Sequence, residues 1–260
     1  SFHSDNIVIG IFMPVDAIAY FAIAAGLAKQ ASGLTEALSH LMTPRISSMS
    51  SRGLDVGDDI ILASRVATLM IAPVAFTFLV RGESFIGLWM GEQYAERTGE
   101  IMRVMAFVLL IGAARSVITY SLTGLGLHKS LIPALTGEAV SNVLISIALI
   151  GPLGIFGVAL GTLIPNLFVS LYSFPAILYR MTGIARKDIW VHAIAAPLLV
   201  ALPFAGASWA VEVYWPARNL LVFFGQIMVL LPIVPLFAWL FLLSPSDKER
   251  VLAMVGRTAS

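Results

Sequence analysis

An all-α fold, a polytopic bundle of transmembrane helices, is what this sequence predicts, and three observations predict it. Apolar residues make up 58% of the 260, charged residues only 12%, and the mean hydropathy is +0.91. A soluble domain carries about 25% charged residues, so this excess of apolar surface needs lipid to cover it. Ile155–Tyr179 and Asn219–Leu243 are each 25 residues long without a charge, where about 20 suffice for a helix to cross the hydrocarbon layer. The apolar runs are also continuous, whereas the strands of a membrane barrel alternate. In lipid each backbone group must bond within its own segment, which leaves helices.

Long apolar runs separated by short polar, Gly- or Pro-containing punctuation give the elements in order. They are a helix remnant at Ile7–Met13, then seven full spans: Ala17–Met42, Asp59–Val80, Ile101–Leu125, Leu131–Ile150, Ile155–Tyr179, Ile189–Val213 and Asn219–Leu243. Lys29, Gln30, Glu36 and His40 interrupt Ala17–Met42, so an amphipathic helix lying on the membrane surface competes with a true span there. Gly82–Gly99, carrying Glu83, Glu92, Glu96 and Arg97, reads as the longest loop. Pro73, Pro165, Pro175, Pro197, Pro203, Pro232 and Pro235 fall inside spans. Each removes a ladder hydrogen bond and bends its helix. Membrane helices tolerate proline more often than soluble ones, and most of these sites need no other reading.

Lys and Arg near the helix ends set the orientation. With alternating spans, nine fall on one side (Arg45, Arg52, Lys129, Arg180, Arg186, Lys187, Lys248, Arg250 and Arg257) and four on the other (Arg81, Arg97, Arg103 and Arg218). The richer side, with the C-terminus, is expected in the cytoplasm. The chain begins Ser1-Phe2-His3, without Met or a basic head; this predicts the interior of a longer protein, not a signal peptide.

Composition also excludes function classes. A net charge of +1 argues against a nucleic-acid partner, which needs a clustered basic face. Without cysteine there is neither a disulfide framework nor a thiolate metal site. No Gly-rich phosphate loop, HExxH or Ser-His-Asp arrangement occurs, and an enzyme of this kind needs a sizeable extramembrane loop bearing its acid, base or Arg groups. The expectation is a protein without catalytic residues, cofactor or metal.

Ionisable residues at membrane depth carry the functional signal, because they are costly unless they face protein or water. Arg115 follows eleven apolar residues, Val104–Ala114, and cannot snorkel to either interface. It faces a polar cavity, where its guanidinium would suit a phosphate or pyrophosphate, or it forms a structural ion pair. Glu138, two turns into the next helix, is the candidate partner, or a carrier of a coupling proton. Lys29, Glu36 and His40, at spacings of seven and four, share a helix face that is either a cavity wall or a solvated surface. Asn142 joins the candidate cavity set; mid-helix amides such as Asn142 and Asn166 are more often interhelical glue. Arg65 reads as a snorkelling anchor, and His192 and Glu212 as solvated residues near interfaces.

Five short segments, in order, resemble a known family. They are Ser4-Asp5-Asn6-Ile7-Val8-Ile9-Gly10 with Tyr20; Thr43-Pro44-Arg45-Ile46-Ser47 after a helix; Leu88-Trp89-Met90-Gly91-Glu92-Gln93-Tyr94; Gly124-Leu125-Gly126-Leu127-His128-Lys129; and Gly154-Ile155-Phe156-Gly157-Val158-Ala159-Leu160-Gly161-Thr162. Over Ser4 to Met181 the chain resembles the second half of the polysaccharide flippases of the multidrug/oligosaccharidyl-lipid/polysaccharide exporter superfamily. The resemblance implies a two-lobed transporter, with residues 1–188 as the C-terminal lobe, residues 189–260 as two additional helices and a cytoplasmic tail, and the N-terminal lobe absent from this chain. It further implies that such a protein flips polyprenyl-pyrophosphate-linked oligosaccharides, such as O-antigen precursors of lipopolysaccharide, across the bacterial inner membrane by alternating access. Membrane lipid and other polysaccharide-assembly membrane proteins would be its further partners. A drug/cation antiporter of the same superfamily is the alternative, and a membrane enzyme of polysaccharide assembly the remote one.

Overall fold

The computed structural model of the chain describes residues 2–13, 15–242 and 248. Among them every regular element is helical. The short helix α1 (Phe2–Phe12) precedes three long ones, α2 (Val15–Ser51), α3 (Gly57–Met90) and α4 (Glu92–Gly124). The helical stretch His128–Thr182 is 55 residues long and doubles back at Gly154, whose φ of 58° and ψ of −141° lie in a region open to glycine. Its arms are α5 (residues 132–153) and α6 (residues 155–182). Gly157 and Gly161 of α6 leave no room for a Cβ against Leu149 and Ser146 of α5; their missing side chains let the arms touch, as small residues do between membrane helices. The chain ends in α7 (Arg186–Tyr214) and α8 (Leu220–Leu242).

Six helical stretches are long and apolar enough to cross a membrane, and one of them is the α5–α6 hairpin, each arm of which is of spanning length. The protein is a polytopic helical bundle. Its centre is α4, packed along α3 on one side and α2 on the other, with α7 against α3 and the hairpin against α4 and α1. Small buried residues, Ala67 and Ala75 on α3 and Ala106 and Ala113 on α4, allow this close approach. Short connections reverse the chain each time, so the segments around 52–56, 125–131 and 183–185 share one end of the bundle. That end carries Arg52, Lys129, Arg180, Arg186 and Lys187, and we refer to it as the basic end. The tail beyond Leu242, with Arg250 and Arg257, lies outside the described residues apart from Lys248.

Two sequence expectations are corrected. Gly82–Gly99 is not a loop: α3 and α4 run through it and break only at Gly91, with φ 105°. Charges there lower the hydropathy, yet Glu and Arg are good helix formers. Ile86, Ala95 and Thr98 stay buried, and Arg103 bonds Glu83 across the pair at 2.8 Å. At 1.5 Å per residue α3 and α4 are each about 50 Å long, well beyond the ~30 Å hydrocarbon layer. The α2 helix does not end at Met42 either. It continues through Pro44 to Ser51, because Ile46 is fully buried and Thr43 Oγ1 donates to the Tyr120 carbonyl at 3.1 Å. Tertiary packing outweighs the local cost of proline.

Two other prolines have a visible use. Pro175 has no N–H for the Leu171 carbonyl, and Pro197 none for that of Ala193. A π-helical segment precedes each, Val169–Ser173 and Ile189–Ala195. The released carbonyls are bonded from neighbouring helices: Trp190 Nε1 donates to Leu171 O at 2.6 Å and Thr68 Oγ1 to Ala193 O at 2.8 Å. Proline at these positions turns intrahelical bonds into interhelical ones.

Candidate functional site: a polar cavity between α2, α4 and the hairpin

A cavity of about 520 Å³ opens between α2, α4, α5 and α6. Gly112 and Ala113 on α4 and Ala28 on α2 give it width, and Arg115, Ser116 and Thr119 turn polar groups into it. Arg115 holds Glu138 of α5 in a forked pair, Nη1 to Oε1 and Nη2 to Oε2, each 2.7 Å. Both side chains are 17% exposed, so the pair forms part of the cavity wall and remains reachable from it. The guanidinium also lies 5.0 Å from the ring centre of Phe174, within cation–π range. Asn166 Nδ2 donates to Glu138 Oε1 at 3.4 Å. Planar, two-point bonding of this kind is what a guanidinium offers any carboxylate or phosphate.

Behind this wall lies a second polar layer. Asn142 Nδ2 donates to Thr162 Oγ1 at 3.1 Å, and Thr162 Oγ1 to Asp5 Oδ2 at 3.2 Å. Asp5, on α1, is fully buried, while Asn142 and Thr162 line the cavity as well. They connect the cavity to a carboxylate that solvent does not touch. Among the described residues Asp5 Oδ1, Asn142 Oδ1 and Ser146 Oγ have no hydrogen-bond partner, a costly condition at such depth. Oxygen donors of this sort suit a proton or a hard cation. No group of three His, Cys, Asp or Glu that could hold a metal occurs among the described residues.

Of the residues singled out in the sequence, Glu36, Arg115, Glu138 and Asn142 line the cavity. Lys29 and His40 do not. The cavity arc of α2 is formed by Ala28, Ser32, Thr35 and Glu36, and the exposed Lys29 and His40 fall beyond its edge. His40 Nε2 instead meets the Tyr120 hydroxyl at 2.9 Å, with ring centres 4.2 Å apart, at the rim. Arg65, read as a snorkelling anchor, donates to the His192 carbonyl at 3.3 Å.

Sequence reasoning missed Asp5 as a site residue and misread Arg81 and Glu212. Arg81, counted among the charges near a helix end, is fully buried. Its Nε bonds Glu212 of α7 and its Nη2 Gln226 of α8, each at 2.6 Å, and it lies 4.5 Å from the Phe223 ring centre. Glu212, expected to be solvated, also accepts from Ser84. One signal was available: Glu212 is the sole acidic or basic residue, histidine aside, between Asp188 and Arg218, and a solitary charge in an apolar run needs a partner.

Residues 1–99 match a family model described as "Polysaccharide biosynthesis protein". The match covers α1 to α3 and the start of α4, hence Asp5 and Glu36 but not Arg115 or Glu138. No curated protein and no solved structure matches the chain. The chain is thus a multi-pass membrane protein whose first part is similar to polysaccharide biosynthesis proteins.

Proposed function

We propose that this protein translocates a lipid-linked oligosaccharide across the bacterial inner membrane by alternating access, as one lobe of a two-lobed transporter. One observation carries the reading: a polar cavity at membrane depth has Arg115 and Glu138 in its wall, bonded to each other yet still 17% exposed. The headgroup to be moved is polar in its sugars and anionic at its pyrophosphate. It needs a shielded hydrophilic path and a cation to meet it. A pyrophosphate oxygen pair can replace the Glu138 carboxylate on the Arg115 fork. Glu138 is then left without its counter-charge, and departure of the headgroup restores the Arg115–Glu138 pair. Asp5, behind Asn142 and Thr162, places a second carboxylate beside the path. Family similarity to polysaccharide biosynthesis proteins supports the substrate class. The role is transport, without a catalytic residue or cofactor, and the basic end lies in the cytoplasm.

The test is Arg115→Ala in the chromosomal gene, with surface polysaccharide as the readout. Loss of polysaccharide at normal protein level is expected, with Arg115→Lys intermediate because it keeps charge but not the fork. Unchanged polysaccharide in Arg115→Ala would sink the assignment. One observation favours the antiporter reading: with Arg115 and Glu138 offsetting each other, Glu36 leaves the cavity net negative. Under that reading Glu36→Gln abolishes export of an organic cation and spares the polysaccharide; under ours it changes cation export little.

A further inference from the structure

Away from the cavity, the basic end of α6 and α7 holds a cationic arrangement that the transport reading does not use. Arg180 closes α6, Gly183 turns the chain in a left-handed conformation with φ 79°, and Arg186 and Lys187 begin α7. A guanidinium at such a place ordinarily reaches outward to water. That of Arg186 lies back along α6 instead, 5.8 Å from the ring centres of both Tyr172 and Tyr179. Tyr172 is 54% and Tyr179 49% exposed, and Trp190 beside them 42%. The Trp190–Leu171 bond ties α7 to α6 there. Tyr and Trp on the outer face of a span occupy the depth of lipid headgroups. Among the described residues no carboxylate pairs with Arg180, Arg186 or Lys187, and the nearby Asp188 faces His192 at 4.0 Å. Arg180, Arg186 and Lys187 thus flank one turn, Arg186 on an aromatic seat, and none of them is ion-paired with a carboxylate among the described residues.

We propose that this cluster binds the phosphate of an anionic phospholipid in the adjacent leaflet, with Arg186 as the main contact, Arg180 and Lys187 beside it, and an acyl chain along the Tyr172–Trp190 surface. Charge complementarity selects the occupant: the bilayer is the source of anions at that depth, and a zwitterionic headgroup offers no net charge. The lipid would brace the α6–α7 turn, where Trp190 of one π-helical segment bonds Leu171 of the other. The inference is independent of which glycan the cavity takes.

Native mass spectrometry of the purified protein, titrated with phosphatidylglycerol or phosphatidylcholine, tests it. A basic residue near anionic headgroups contributes about fivefold in affinity, so Arg180→Gln/Arg186→Gln/Lys187→Gln should lose roughly a hundredfold of the preference for phosphatidylglycerol. Arg218→Gln, at the opposite end, should keep it. If the triple variant does not purify folded, Arg186→Gln alone should still lower the preference about fivefold. Equal binding of the two lipids by the unaltered protein overturns the proposal. So does an undiminished preference in the folded variants, and so does displacement of phosphatidylglycerol by millimolar inorganic phosphate, which would mark a soluble anion site.

Discussion

Under the proposed function Arg115 and Glu138 serve both structure and transport, and substitution separates the two. Removing one member leaves the other unpaired in a mostly apolar wall, at a cost of about 3 kcal/mol, whereas apolar replacement of both is often close to neutral. Arg115→Met should therefore lower thermal stability in detergent, and Arg115→Met/Glu138→Met should restore most of it while remaining inactive in export. A double variant that regains both stability and export assigns the pair a structural role alone. Arg81 gives the sharper stability prediction. It is fully buried, and Arg81→Met strands Glu212 Oε2 and Gln226 Oε1 together. The expected loss is about 3–5 kcal/mol, read as a fall in melting temperature well beyond that of Arg103→Met, whose partner Glu83 is 48% exposed.

Among the elements, the hairpin and the prolines carry the testable geometry. A Cβ at Gly161 meets Ser146 of α5, both its hydroxyl and its backbone, so Gly161→Val should force the arms apart. Overpacking of this kind costs about 1–3 kcal/mol, and it would also pull Thr162 from Asn142, so export should fall with stability. Trp190→Phe should cost about 1 kcal/mol for its bond to Leu171 O. In a Pro175→Ala background that cost should shrink, because the backbone N–H restored by that substitution competes for the same carbonyl; equal costs in both backgrounds would refute this account of the proline. Helix positions were legible in the sequence because apolar runs and Gly or Pro breaks report membrane depth directly. The hairpin turn at Gly154 and the start of α6 are examples. Helix ends beyond the membrane were not. Between Arg81 and Arg103 the chain is charged, and charge says nothing about whether a helix continues; what keeps α3 and α4 helical is their packing on each other. The position of Lys29 and His40 outside the cavity wall was hidden for a related reason. Spacing assigns residues to a common face of α2 but does not say where on that face the cavity ends.

For the whole molecule, the arrangement is a bundle centred on α4, with the cavity on one flank and the α7–α8 pair latched to α3 on the other through Arg81. The short connections fix alternation, so cysteines at Gly91 and Gly183 should react with an impermeant maleimide from opposite sides of the membrane, Gly183 from the inside; labelling from the same side would refute the topology. The central claim is that an anionic lipid-linked glycan passes through the Arg115 cavity. The most direct test measures, in spheroplasts, the fraction of polyprenyl-pyrophosphate-linked glycan that an external glycosidase can reach. With the unaltered gene that fraction should rise with time, and with Arg115→Ala the glycan should accumulate at full amount but stay protected. An equal, undiminished rise in the Arg115→Ala cells would contradict the account.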